Sequence, residues 1–232
     1  MVRSCSIRSS FVQMAEVHVR LSLPFRVAHP TIPTMPTTLV PDFGRQVMAV
    51  DRVQRLLRQV TEALDRAGVP YAVIGGNAVA AWVMSVDEGA VRATKDVDIL
   101  LRRADLALAR EALEREGLEQ HDIHGITMFL LRENPNPKTG VHVVFAGEKV
   151  RSHTDHPAPD VGSAVRSESG FFVLQLPQLL AMKLAAYCRI DQVHVEDKLG
   201  VGLIDKKIAA WLPADLRARL EHIEKTREEP HW

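Results

Sequence analysis

The chain has 232 residues, 46% of them apolar, with 29 basic and 29 acidic side chains and no net charge. That is enough apolar matter for one well-packed domain or two small ones, and the charge balance offers no global positive field for gripping a long nucleic acid, although a local basic patch stays open. Cys5 and Cys188 lie far apart without a metal-type spacing, which fits a reducing, cytoplasmic setting, and no run is apolar enough for a membrane span or a signal-peptide core.

Residues 1–45 read as a poorly ordered arm, because "HPTIPTMPTTLVPDFG" holds four prolines and proline suits neither a helix interior nor a sheet ladder. From Val47 to Ala67 the apolar residues Val50, Val53, Leu56, Leu57, Val60 and Leu64 recur at helical spacing. Gly68 is the expected stop. "VPYAVIGG" then reads as a buried strand ending on Gly75 and Gly76, with a helix from Asn77 to about Met84. "VRATKDVDILL" (91–101) is the second expected strand, and the stretch after it a helix stopped by Gly117.

Two more strands are expected at 126–131 and 141–147, joined by the turn-forming "NPNPKTG". The remainder predicts helices over 176–189, 196–205 and 213–226. The order implies an α+β fold, a small mixed sheet flanked by helices with a helical C-terminal part. Its expected divisions are the arm (1–45), an α/β core (46–150) and a mainly helical region (151–232).

Residues two apart on a strand share a face, so the pattern places Thr94, Asp96 and Asp98 together. Two carboxylates there suit a hard divalent cation such as magnesium, which keeps places for substrate phosphates. The glycine pair supplies a complementary feature. Without β-carbons, Gly75 and Gly76 let a triphosphate approach the backbone, and the next helix offers unpaired N–H groups. A plainer reading remains, since glycine commonly ends a strand and aspartates commonly line a solvated edge.

The order strand, glycine pair, helix, "RATKDVD", strand resembles the nucleotidyltransferase superfamily of the polymerase-β type, and within it the AbiEii-type nucleotidyltransferases of toxin and antitoxin pairs. "MKLAAYCRIDQVHVED", with Lys183, Arg189, Asp191, His194 and Asp197, is similar to that group as well. The resemblance implies a nucleoside triphosphate substrate and Mg2+, two ions being possible, held by Asp96 and Asp98. Gly75, Gly76 and Asn77 would cradle the phosphates, with Arg92, Thr94 and Lys183 beside them. A tRNA end or a protein side chain is the implied acceptor, and a cognate antitoxin the implied partner.

Two departures from the pattern stand out. Nineteen residues separate Gly76 from Asp96, more than compact members have. His142 occupies the position of the family's third acid, which removes a negative charge from a site made for cations, and Glu148 is the nearest substitute acid. A catalytically degenerate fold that binds nucleotide or a partner is the alternative that His142 favours. Asp191, His194 and Asp197 read as capping and surface pairing rather than a metal cluster.

Overall fold

The apolar stripe of the first periodic segment becomes α1 (Phe43–Ala67), whose Val53, Leu56, Leu57, Val60 and Leu64 are all buried. The computed structural model describes residues 43–150 and 154–227, so residues 1–42 of the expected arm lie outside the described residues. Gly68 ends α1 in the left-handed conformation at φ 65°, its N–H donating to Asp65 and that of Val69 to Leu64. Those two bonds satisfy carbonyls that the last turn would leave unpaired.

The chain then runs through β1 (Tyr71–Ile74), α2 (Gly75–Met84), β2 (Val97–Leu101), α3 (Leu106–Arg115), β3 (Leu118–Ile123), β4 (Ile126–Leu131) and β5 (Val141–Phe145). After these come β6 (Ala164–Arg166), β7 (Phe172–Leu174), α4 (Leu176–Ala186), α5 (Arg189–Gly200), α6 (Lys206–Trp211) and α7 (Ala214–Thr226). The seven strands form one mixed sheet in the order β3-β4-β5-β2-β1-β7-β6. β2 pairs antiparallel with β1 and parallel with β5, and Ile99, Leu100 and Leu101 are fully buried at the centre. A second cluster, from Leu180 and Leu184 of α4, Val195 of α5 and Leu216, Leu220 and Ile223 of α7, packs the C-terminal helices together. The fold is therefore α+β, as the pattern implies.

Several boundaries differ from the sequence expectations. β2 starts at Val97 rather than residue 91, because β1 turns into α2 after Ile74, the partner of Asp98, and the pairing with β5 begins at Val97 opposite Val141. Residues 91–96 consequently have no strand to join, and Thr94 and Asp96 sit in the loop entering β2. β3 escapes a pattern reading because "LEQHDI" has little apolar alternation, and β6 and β7 are three residues each. α5 begins at Arg189, earlier than expected, since the Cys188 and Asp191 side chains cap its first turn. It stops at Gly200, with Gly202 left-handed at φ 75°, so the expected helix over 196–205 is broken in its middle. No helix among the described residues is long and apolar enough to cross a membrane.

α5 also buries Lys198 completely, its ammonium donating to the carbonyl of His194. Burial, and then repulsion from Lys183, push the Lys198 pKa down from 10.5 to about 7. The unfolded chain thus binds more protons than the folded one between pH 7 and 10.5, and this lysine makes folding more favourable as pH rises through that window. Lys198→Met should raise the melting temperature near pH 7 by at least about 2 to 4 °C, the shift expected for roughly 1 kcal/mol in a chain this size. The gap to wild type should narrow as pH rises to 10.5 and level off above it, where the lysine is neutral in the folded and unfolded chain alike. A gap that stays constant across a pH series of melting curves would contradict the assignment.

Candidate active site

Sheet register sets the centre of the site. Asp98 is opposite Ile74 on one side and His142 on the other, so the acid at the start of β2 and the histidine at the start of β5 are adjacent on one sheet face. Asp96 reaches them from the loop before β2, its carboxylate accepting from Thr94 Oγ1 at 3.2 Å and its backbone carbonyl accepting from Asn77 Nδ2 at 2.8 Å. One ligand atom each of Asp96, Asp98 and His142 lies within 4.8 Å of the others, and all three side chains are partly buried.

The histidine is oriented from behind. Its Nε2 donates to the Pro137 carbonyl at 2.9 Å, in the short turn Pro137–Thr139 that Asn136 caps. That bond leaves Nδ1 facing the acids, 3.4 Å from Asp98 and 3.6 Å from Asp96. Hydrogen bonding to Asp98, against the cost of burial, raises the His142 pKa to about 9. Burial and then the Asp98 charge raise that of Asp96. Two carboxylates and an imidazole nitrogen with its far side fixed by a carbonyl are a donor set that fits a divalent cation. The oxygens suit magnesium, while the nitrogen extends the range to manganese or zinc.

Gly75 is dictated by this arrangement. It is left-handed at φ 66°, and a β-carbon on it would fall 1.8 Å from Asp98 Oδ2. A β-carbon on Gly76 would meet Thr94 Oγ1 at 2.7 Å. The glycine pair therefore lets the acidic loop lie directly on the start of α2, whose first turn has no side-chain cap. Asn77, expected among the phosphate ligands, is almost fully buried and spends its amide nitrogen on the Asp96 backbone. It braces the loop.

The cations stand around this centre. Arg92 Nε bonds both oxygens of Asp197 on α5, at 2.8 and 2.9 Å, and Lys183 Nζ bonds Asp191 at 2.9 Å. Asp191 is driven up by burial but ends below the usual carboxylate range because Lys183 and the Cys188 thiol hold the anion. His194 is pushed down to about 4 by burial and by Lys183 and Lys198, so it is neutral near pH 7. Its Nδ1 is buried without a hydrogen-bond partner. Glu148 turns away to a bidentate pair with Arg103 and does not join the triad.

Two cavities meet here, one of about 390 Å³ and one of about 360 Å³, and Asp98 and Lys183 line both. The smaller is bordered by Gly76, Arg92, Thr94, Lys95 and Asp96. The larger contains His156, whose Nε2 lies 2.7 Å from Asp215 at the start of α7. Sequence reasoning missed this pair. The partners are 59 residues apart, a separation that carries no local signal.

Two acids and a histidine thus stand together at the starts of the central strands β2 and β5, beside a glycine turn. The family model described as uncharacterised nucleotidyltransferase matches residues 34–156, more than half of the chain, and the chain belongs to that family. No curated protein matches it in sequence. Among solved structures, the chain is similar to an antigenic nucleotidyltransferase-like protein from Paracoccidioides brasiliensis, with 15% identity and a TM-score of 0.52 over 76% of this chain and 89% of that one. The antibiotic-resistance factor ANT(2'')-Ia in solution has 14% identity and a TM-score of 0.49, over 77% of this chain and 95% of that one. The same factor in complex with adenylyl-2''-tobramycin has 14% identity and a TM-score of 0.48, over 74% and 98%.

Proposed function

We propose that the chain is a metal-dependent nucleotidyltransferase that moves a nucleotidyl group from a nucleoside triphosphate to a hydroxyl acceptor. The observation that carries this reading is the convergence of Asp96, Asp98 and His142 within 4.8 Å at the meeting point of two cavities. Asp96 and Asp98 would hold the cation, Mg2+ in the first instance with a second ion possible. When bound, the cation supplies Lewis-acid polarisation of the α-phosphate and charge neutralisation of the leaving pyrophosphate.

The chain's own residues do the rest. Gly75 and Gly76 admit the phosphates to the first turn of α2, where unpaired N–H groups and the positive end of the helix dipole favour anions. Lys95 supplies positive charge along the smaller cavity, beside Arg92 and Lys183 in their ion pairs with Asp197 and Asp191, and Thr94 steadies Asp96. His142, in the third-acid position, presents Nδ1 as ligand or proton acceptor. Residues 46–150 carry the triad and 151–232 supply Lys183 and the far wall. The resemblance to AbiEii-type proteins supports a tRNA end or a protein side chain as acceptor, a cognate antitoxin as partner and a cytoplasmic setting.

One observation favours a second reading. With its pKa raised to about 9, His142 carries a proton between the two acids near neutral pH, so one of their two negative charges is offset without a metal, as suits a degenerate binding module. Comparing wild type, His142→Ala and His142→Asp in one labelled-triphosphate transfer assay, with Mg2+ and Mn2+ titrated and a cell extract as acceptor pool, separates the two. Under the enzyme reading His142→Ala loses about 10² to 10⁴ in rate, the range for a general base, and His142→Asp keeps activity with Mg2+. Equal inactivity of all three with every triphosphate, while nucleotide still binds, leaves the binding module.

A further inference from the structure

The two cavities that share Asp98 and Lys183 differ in chemistry. The smaller combines Lys95, and Arg92 paired with Asp197, with an apolar floor from Val79, Ala80 and Val83 of α2, a lining suited to a triphosphate at one end and a base at the other. The larger, of about 390 Å³, is walled chiefly by Ile74, Val144, Leu179, Met182, Ala185 and Leu216, with the half-exposed Trp211 at its edge. Its volume lies in the range of small-molecule sites, about 300 to 1,000 Å³.

The charged groups of the larger cavity are largely committed. Lys183 and Asp191 neutralise one another at 2.9 Å, Asp98 belongs to the triad, and His156 is held by Asp215 at 2.7 Å. Among the described residues of the lining Lys183 is the one lysine or arginine, which gives an RNA end no run of phosphate contacts, and their carboxylates are all engaged, leaving none for a polycation. The fixed ring of His156 supplies a directional polar contact in apolar surroundings, the usual design of a small-molecule pocket.

We propose that the larger cavity is the acceptor site and takes a small, uncharged, hydroxyl-bearing molecule with an apolar body. This rests on the nucleotidyl-transfer reading and puts a small molecule in place of the tRNA end or protein side chain that the AbiEii resemblance implies. The acceptor oxygen forms a bond to the α-phosphorus of the nucleotide, and the bond from that phosphorus to the bridging oxygen breaks. Pyrophosphate leaves with the electron pair, and the hydroxyl proton passes to Nδ1 of His142, which lies 3.4 Å from Asp98, the acid that lines both cavities.

The test uses the full chain and α-labelled triphosphates with Mg2+ or Mn2+, offered separately a small-molecule filtrate of cell extract, total RNA and a protein fraction. In parallel, Trp211 fluorescence is titrated with benzyl alcohol and cyclohexanol as probes, against a Trp211→Phe control. Ala181→Phe and Ala186→Phe fill the larger cavity from α4, and two variants guard against a single failure to fold. The expected results are a labelled product in the filtrate, saturable probe binding, and loss of both by about tenfold or more in the filled variants with triphosphate binding kept, the scale on which pockets discriminate by volume. Label on RNA or protein that the filled variants transfer as well as wild type overturns the acceptor assignment and leaves nucleotidyl transfer standing. Saturable probe binding that the filled variants lose, with no transfer to any fraction, supports the cavity while removing the transfer reading. Absence of saturable probe binding overturns the cavity assignment whatever the transfer assay gives.

Discussion

Asp98→Asn should reduce nucleotidyl transfer below detection and weaken divalent-cation binding by about 10²-fold or more, with Asp96→Asn close behind, since each removes a metal-ligating charge from a site that already has a neutral or cationic group in third place. The two variants should still fold. Both side chains are partly exposed and asparagine has nearly the same shape, so the substitution relieves mutual repulsion rather than opening a cavity. Binding of Mn2+ followed by its electron paramagnetic resonance signal, alongside melting curves, checks this without depending on turnover. Wild-type cation affinity in both variants would show that the triad is not the metal site.

Gly75→Ala should have nearly as large an effect while leaving every acid in place. The added β-carbon lands 1.8 Å from Asp98 Oδ2 and 2.6 Å from its Cγ, at a φ of 66° that costs a non-glycine residue about 1 to 2 kcal/mol. Asp98 must swing out. A displacement of that order at a reacting centre costs about 10²-fold in rate, and cation affinity should fall with it. Gly76→Ala is the milder comparison, because its β-carbon meets the hydroxyl of Thr94 at 2.7 Å and the Thr94 β-carbon at 3.0 Å, so that the loop residue Thr94 shifts while Asp98 is left in place, and Gly76 does not need a left-handed φ. The expected order of losses is Gly75→Ala well above Gly76→Ala in both transfer and Mn2+ binding. Gly75→Ala with wild-type cation binding would mean that Asp98 is not held against α2 in solution.

Much of this protein is local in origin, and local features are legible in a sequence. The stripe from Val53 to Leu64 specifies α1 because helical spacing puts those side chains on one face, and Gly68 specifies its end because a left-handed residue closes it at little cost. The buried runs of β1, β2, β4 and β5 are likewise continuous in the chain. Asp96, Asp98 and the glycine pair also stand out as residue types in order.

Tertiary structure decided the rest, because it turns on contacts between residues far apart in the chain. The truncation of β2 at Val97 depends on where β1 turns and where β5 begins, and neither is encoded in residues 91–96. β3, β6 and β7 exist because neighbouring strands supply hydrogen-bond partners to short or polar segments with little preference of their own. Asn77 turned out to brace Asp96 across 19 residues, and Lys183 and Arg92 found acids on α5. The larger cavity and its His156–Asp215 pair arise only when α4 and α7 close beside the sheet. Backbone periodicity acts over a few residues, whereas a site is assembled by sheet register and helix packing, and those are fixed by which surfaces can be buried together.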